Sequence, residues 1–203
     1  MTSDHASLVA PSRMLFFAFA STRDRPKIAY PMNADPARVG VNAEGKVRSI
    51  LIAGVGNIFF GDDGFGVEVA RRMARHPLPD GVRVDDFGIR GFDLAYALGA
   101  DDDAVILVDV TRRGQAPGTL YALELDPDPP APGAIETHGM DPANVLRLAA
   151  ALGGQPRRVL LVGCEPSVID AEGSIGLSAP VAAAIDGAIE MVESLVARIR
   201  GEG

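Results

Sequence analysis

Residues 50–73 read ILIAGVGNIFFGDDGFGVEVARRM, and the change of texture along that stretch decides the fold. Its first part continues an apolar run from Val47 to Val55, VRSILIAGV. The run does not alternate, as expected of a strand buried on both faces of a parallel sheet. A glycine-rich turn follows. Then Asp62–Arg75 carries Val67, Ala70 and Met73 or Ala74 on one helical face, with Asp62 or Asp63 placed as the helix cap. Strand, turn and helix in that order open an alternating α/β chain.

The same alternation runs on. Val82–Phe87 reads as a strand and Gly91–Leu98 as a short helix. Ala104–Val110, AVILVDV, is the expected central strand, β-branched and apolar with one polar residue near its end. Leu120–Leu125 is a further strand. Asp126–Gly133, DPDPPAPG, has four prolines in eight residues and reads as a loop, because each proline removes a backbone donor. Asp141-Pro142 supplies a cap and a first-turn proline for a helix reaching Leu152. Val159–Cys164 is the last strand. Ser178 caps a long C-terminal helix that stacks Val181, Ile185, Ile189, Val192, Val196 and Ile199 on one side. The expected fold is α/β: three layers, with a mostly parallel twisted sheet of about five strands and helices on both faces. Residues 48–203 form one domain on this reading, and 1–47 an N-terminal extension.

Composition narrows the function. The 203 residues include one cysteine, Cys164, so no intramolecular disulfide forms and a reducing compartment is expected. Six Lys/Arg against four Asp/Glu fall in residues 1–47, and thirteen against twenty-three in the rest. A body that acidic repels a phosphate backbone, so nucleic acid is not an expected partner. The longest apolar run of the extension, Met14–Ala20, is far shorter than the roughly 18 residues of a membrane span. It also lacks the basic start of a signal peptide. A cytoplasmic protein without a membrane partner is expected.

Folds of this kind place their chemistry at the carboxyl ends of the strands. Asn57, Asp62 and Asp63 follow strand one, Asp85 and Asp86 follow strand two, Asp109 closes strand three and Glu165 follows the last strand. Two phosphate-binding motifs compete for the glycine-rich turn, and both fail. The dinucleotide fingerprint meets Phe59 where its third glycine belongs, and the P-loop meets Asp62 in place of its lysine. Two carboxylates at a helix N-terminus compete with an anion and favour a cation. One of them, together with Asp109 and His138, makes a borderline site able to hold nickel, zinc, iron or manganese. His138 is the histidine placed to approach the sheet edge, since His5 lies in the extension and His76 ends the first helix. Cys164 reads as a buried strand-end thiol.

Residues 50–73 resemble the N-terminal signature of the nickel–iron hydrogenase maturation endopeptidases: a strand, G-x-G-N, a few apolar residues, then D-D/E-G-x-G entering a helix. DFGIRGFDLAYAL at 85–98 is similar to that family's second-strand turn. LVDV with Asp109, THGMDPANVL with His138, and LVGCEP followed by GLSAPV continue the match in order. The similarity covers about residues 48–200. It implies metal contacts at Asp63, Asp109 and His138, with Asp63 and Asp109 catalytic and with Asn57 and Arg90 in contact with the substrate peptide. It also implies removal of the C-terminal extension of a hydrogenase large-subunit precursor after nickel insertion. The nickel is then carried by the substrate, and no organic cofactor is needed. Two other functions share parts of this pattern: a nickel-binding escort that does not cleave, and a nucleotide-binding α/β enzyme.

Overall fold

A computed structural model of the chain describes residues 47–100, 102–126, 142–154, 156–169 and 172–202. The N-terminal extension, most of the proline-rich loop, His138 and the expected cap Asp141 lie outside the described residues. Five strands form one sheet in the order β2-β1-β3-β5-β4. They are β1 (Ile50–Val55), β2 (Val82–Gly88), β3 (Ala104–Val110), β4 (Leu120–Leu125) and β5 (Val159–Cys164). β2, β1, β3 and β5 are parallel, while β4 runs antiparallel along the edge beside β5.

The apolar runs do not alternate because both faces of the sheet are covered. Ile50 and Ile52 of β1 and Ile106 and Val108 of β3 face one layer, built from α1 (Phe65–Met73) and α4 (Ala179–Gly201). Leu51 and Ala53, with Val105 and Leu107, face the other, built from α2 (Gly91–Leu98) and α3 (Pro142–Ala151). Successive strand residues point to opposite faces, so a strand clamped between two layers needs apolar side chains at every position. All six residues of β1 and all six of β5 are buried.

Three expectations shift. β1 begins at Ile50 rather than Val47. Asp85 and Asp86 lie inside β2, paired with Ala53 and Gly54 of β1, and do not follow the strand. β2 is the edge strand next to β1, so its polar side chains can reach solvent without breaking the pairing. Finally, the expected helix 62–75 is a 3-10 turn, Asp62–Gly64, followed by α1.

α3 precedes β5 and packs Val145, Leu146 and Ala149 in the layer shared with α2. Its far end is pinned beside the end of α2: a Cβ on Gly154 would stand 2.5 Å from the Cα of Gly99. Ten residues of helix span about 15 Å.

Candidate active site at the carboxyl edge

The glycine-rich turn is built to bring α1 against the sheet. A Cβ on Gly54 would fall 2.4 Å from the carbonyl oxygen of Gly66, and one on Gly66 would fall 2.0 Å from the carbonyl oxygen of Val108. Gly56 has φ of 125°, and a Cβ there would lie 1.8 Å from the carbonyl oxygen of Asp63. These glycines are filled by the protein's own backbone, and a phosphate cradle is not what they form. That removes the observation on which a nucleotide-binding reading rested.

The two adjacent aspartates do different work. Asp62 is 1 % exposed. It accepts hydrogen bonds from the N–H groups of Ser167 (2.8 Å), Val168 (2.9 Å) and Ser178 (2.6 Å), and from the Ser178 hydroxyl (2.9 Å). Burial pushes its pKa up, but these bonds to the charged form outweigh it and hold the carboxyl below its ordinary value. Asp63 is half-buried and accepts the N–H of Asn57 at 2.7 Å. Burial dominates there, and its pKa is raised against that single donor. Neither residue caps α1: the N-cap is Gly64, without a side-chain cap bond. The intervening 3-10 turn sets both carboxylates one turn ahead of the helix. Ser178 does occupy the N-cap of α4, but its hydroxyl serves Asp62 and not the helix.

Asp109 is the penultimate residue of β3, 7 % exposed, and one carboxylate oxygen accepts the N–H of Val110 at 2.7 Å. Gly54 of β1 registers with Val108 of β3, so the turn that carries Asp63 leaves the sheet beside the strand end that carries Asp109. Asn57 shapes this turn twice: its N–H serves Asp63, and its side-chain oxygen accepts the N–H of Phe59 at 3.0 Å. Arg90 stands just beyond β2. Its guanidinium donates to the carbonyls of Phe87 (3.1 Å) and Asp86 and pairs with Asp93 at 3.6 Å. Among the described residues, no group of three His, Cys, Asp or Glu side chains is close enough to hold a metal ion. His138 is not among them.

Cys164 is fully buried, and burial followed by the charges of Asp62 and Glu165 pushes its thiol up to about 12. It is not a nucleophile at neutral pH. Glu165, 5 % exposed, does more than sequence reading assigned to it. It accepts the N–H groups of Arg113 (2.8 Å) and Gly114 (3.1 Å) and the Tyr121 hydroxyl (2.5 Å), tying the β3–β4 loop to the end of β5. The signal available beforehand was a Glu-Pro pair closing an otherwise apolar strand.

The hydrogenase maturation protease family model (HycI) matches residues 67–195. The chain belongs to the hydrogenase maturation protease family. This makes the protease a hydrolase of peptide bonds. It is 36 % identical over 156 residues to the hydrogenase expression/formation protein HupM of Azotobacter chroococcum, covering 75 % of this chain and 74 % of that protein. It is 34 % identical over 146 residues to the hydrogenase 2 maturation protease of Escherichia coli, covering 70 % and 87 %. The structure of the E. coli hydrogenase maturating endopeptidase HybD superposes with a TM-score of 0.60 at 30 % identity, over 73 % of this chain and 91 % of that one. A [NiFe] hydrogenase maturation protease, HycI of Thermococcus kodakarensis, superposes with a TM-score of 0.55 at 26 % identity, over 76 % and 93 %. The family match spans Asp109 and His138 and begins four residues after Asp63. Among the described residues, no helix is long and apolar enough to cross a membrane.

Proposed function

We propose that this protease removes the C-terminal extension of a nickel–iron hydrogenase large-subunit precursor once nickel has been inserted, meeting the substrate's nickel through Asp63, Asp109 and His138. The observation that carries the reading is the contrast within the aspartate pair. Asp62 is saturated with donors and internal, whereas Asp63 is desolvated and accepts one hydrogen bond among the described residues. A carboxylate in that state gains from a cation placed against it. Asp109 adds a second hard donor at the neighbouring strand end. His138 stands four residues before Pro142, where α3 begins. Two carboxylates and an imidazole suit a borderline divalent ion such as nickel.

Docking on a metal fixed in the substrate sets the distance from these residues to the scissile bond. The nickel supplies Lewis-acid polarisation of nearby oxygens. A water held by Asp63 and Asp109 attacks the peptide carbonyl; its proton passes to a carboxylate oxygen not engaged by the nickel and from there to the leaving amine as the C–N bond breaks. Asn57, by its N–H to Asp63, holds that carboxylate in place, and Arg90 lies where the substrate chain would pass.

The test mixes the protease with nickel-loaded and nickel-free precursor and follows intact mass. The expected result is trimming of the loaded form alone. Binding to the loaded form without trimming would make the protein an escort. Equal trimming of both forms would end the nickel requirement.

A further inference from the structure

Among the described residues nine large apolar side chains are exposed, and six of them stand in segments that leave the carboxyl ends of β1, β2 and β5. These are Phe59 (57 %), Phe60 (36 %), Ile89 (64 %), Phe92 (74 %), Val168 (53 %) and Ile175 (83 %). Apolar residues scattered singly over a surface need no explanation, but a concentration on one edge does.

The segments that carry them are stitched into one rim. The N–H of Ser174 reaches the Phe59 carbonyl at 2.8 Å, and the N–H of Gly61 reaches the Ser174 carbonyl at 2.6 Å. The N–H of Asp62 reaches the Val168 carbonyl at 3.1 Å, and on the other flank the N–H of Gly56 reaches the Gly88 carbonyl at 3.1 Å. The turn bearing Asp63 is therefore hydrogen-bonded on one side to the segment of Val168 and Ile175. On the other it is bonded to the strand end that leads into Ile89 and Phe92.

Charged groups within the rim are already engaged. Arg90 holds two backbone carbonyls and Asp93, Asp62 is internal, and Glu172 has a partner of its own. Beside Asp63 and the exposed Arg90, what the rim offers a partner is its apolar side chains.

The geometry points to this rim as the docking collar for the hydrogenase large subunit: Phe59, Ile89, Phe92 and Ile175 pack on an apolar surface of the precursor at the base of its C-terminal extension. The inference rests on the function proposed above, because a peptide bond that reaches Asp63 carries its own polypeptide across this rim. Recognition is thereby divided. The carboxylates respond to the substrate's metal, and the collar supplies apolar contact area around it, the kind of anchor that dominates interface energetics.

The experiment measures precursor binding and cleavage kinetics with nickel-loaded precursor for the wild type, Phe92→Ser, Ile175→Ser and the double variant. Leu152→Ser, an exposed apolar position at the far end of α3, serves as control. Far-UV circular dichroism and melting confirm that each variant is folded. Single collar variants are expected to raise Kd and KM about tenfold and leave kcat within twofold, with a larger loss in the double variant and none in the control. Kd and KM unchanged in the collar variants, with a wild type that cleaves, would overturn the collar and leave the proposed function standing. A fall in kcat at constant KM would overturn it as well. A wild type that neither binds nor cleaves the loaded precursor would sink both readings. Sedimentation is run alongside: a wild-type dimer that the collar variants split, with KM unchanged, would assign the rim to a second copy of the chain.

Discussion

Asp62 and Ser178 stand 116 positions apart, yet the Asp62 carboxylate accepts both the N–H of Ser178, at 2.6 Å, and its hydroxyl, at 2.9 Å. With the N–H groups of Ser167 and Val168 on the same carboxylate, one side chain fastens the turn after β1 to the segment between β5 and α4. Removing it strands buried donors, each costing about 1–3 kcal/mol. Asp62→Ala is therefore expected to lose about 3 kcal/mol or more in urea unfolding, and Asp62→Asn, which keeps one acceptor oxygen, to lose less. A loss below about 0.5 kcal/mol for the alanine variant would show that the fastening carries no stability.

Gly66 is where α1 comes closest to the sheet. A methyl there would sit 2.0 Å from the Val108 carbonyl oxygen and 2.4 Å from that of Val55, both backbone atoms that cannot swing away. Gly66→Ala is expected to cost more than about 3 kcal/mol or to abolish folding, through overpacking at a rigid contact. Gly201→Ala, in the last turn of α4 with nothing within 4 Å of the added carbon, is expected to be neutral or to stabilise by up to about 1 kcal/mol. Thermal melts of the two variants check the contrast.

These two sites mark where sequence reading reached and where it stopped. α2, β3, β4 and β5 have the expected bounds, because each is a mostly apolar run whose end meets a glycine (Gly99) or a polar residue (Thr111, Asp126, Glu165). The antiparallel direction of β4 follows from the short 111–119 connection, which re-enters the sheet at the edge where β3 ends, since Val110 and Leu120 both register with Cys164; nine residues are too few for a parallel crossover, and nothing in LYALEL itself encodes the direction. Two phosphate motifs competed for the glycines at 54, 56 and 61, since glycine spacing alone does not tell a ligand's approach from the backbone's own. Asp62 and Asp63 are chemically identical in the chain. Only the return of Ser167, Val168 and Ser178 separates the fastened carboxylate from the desolvated one. Asp85 and Asp86, read as following the second strand although its expected bounds 82–87 include them, lie inside β2 on the sheet edge, where polar side chains reach solvent.

Glu165 makes an acid-stability prediction with a definite sign. The hydrogen bonds from Tyr121, Arg113 and Gly114 outweigh burial and hold its carboxyl below its ordinary value of 4.5. A lowered folded pKa contributes stability that is present above 4.5 and is lost as pH falls through the folded value. Stability should thus decline on acidification below about 4.5, and Glu165→Gln should reduce that dependence while lowering stability at neutral pH. Urea midpoints between pH 7 and pH 3 test it. An unchanged acid slope in the glutamine variant would remove Glu165 from the account.

Cys164 is expected to be dispensable for cleavage. Its thiol is fully buried and pushed up to about 12, so virtually no thiolate exists at pH 7. Cys164→Ala should keep cleavage within about twofold and cost about 1 kcal/mol of stability from the small cavity it leaves. The native protein should resist iodoacetamide at neutral pH, as mass spectrometry of the treated protein would read out. Loss of cleavage in a folded alanine variant would reopen a thiol mechanism.

Asp63 should separate stability from activity. Its carboxyl is raised by burial, so the ionised form is disfavoured in the folded state, and that penalty is relieved as pH falls through the raised value. Replacing the charge with a neutral amide should leave stability unchanged or slightly higher, while the donor from Asn57 keeps an oxygen to bond. Cleavage of nickel-loaded precursor should fall at least a hundredfold in Asp63→Asn, because the amide neither takes a proton nor pairs with a cation. Denaturant midpoints and a mass-based cleavage assay on the same preparation measure both. A folded Asp63→Asn protein that still trims the precursor at the wild-type rate would reduce Asp63 to a spacer beside Asp62 and move the chemistry to other residues.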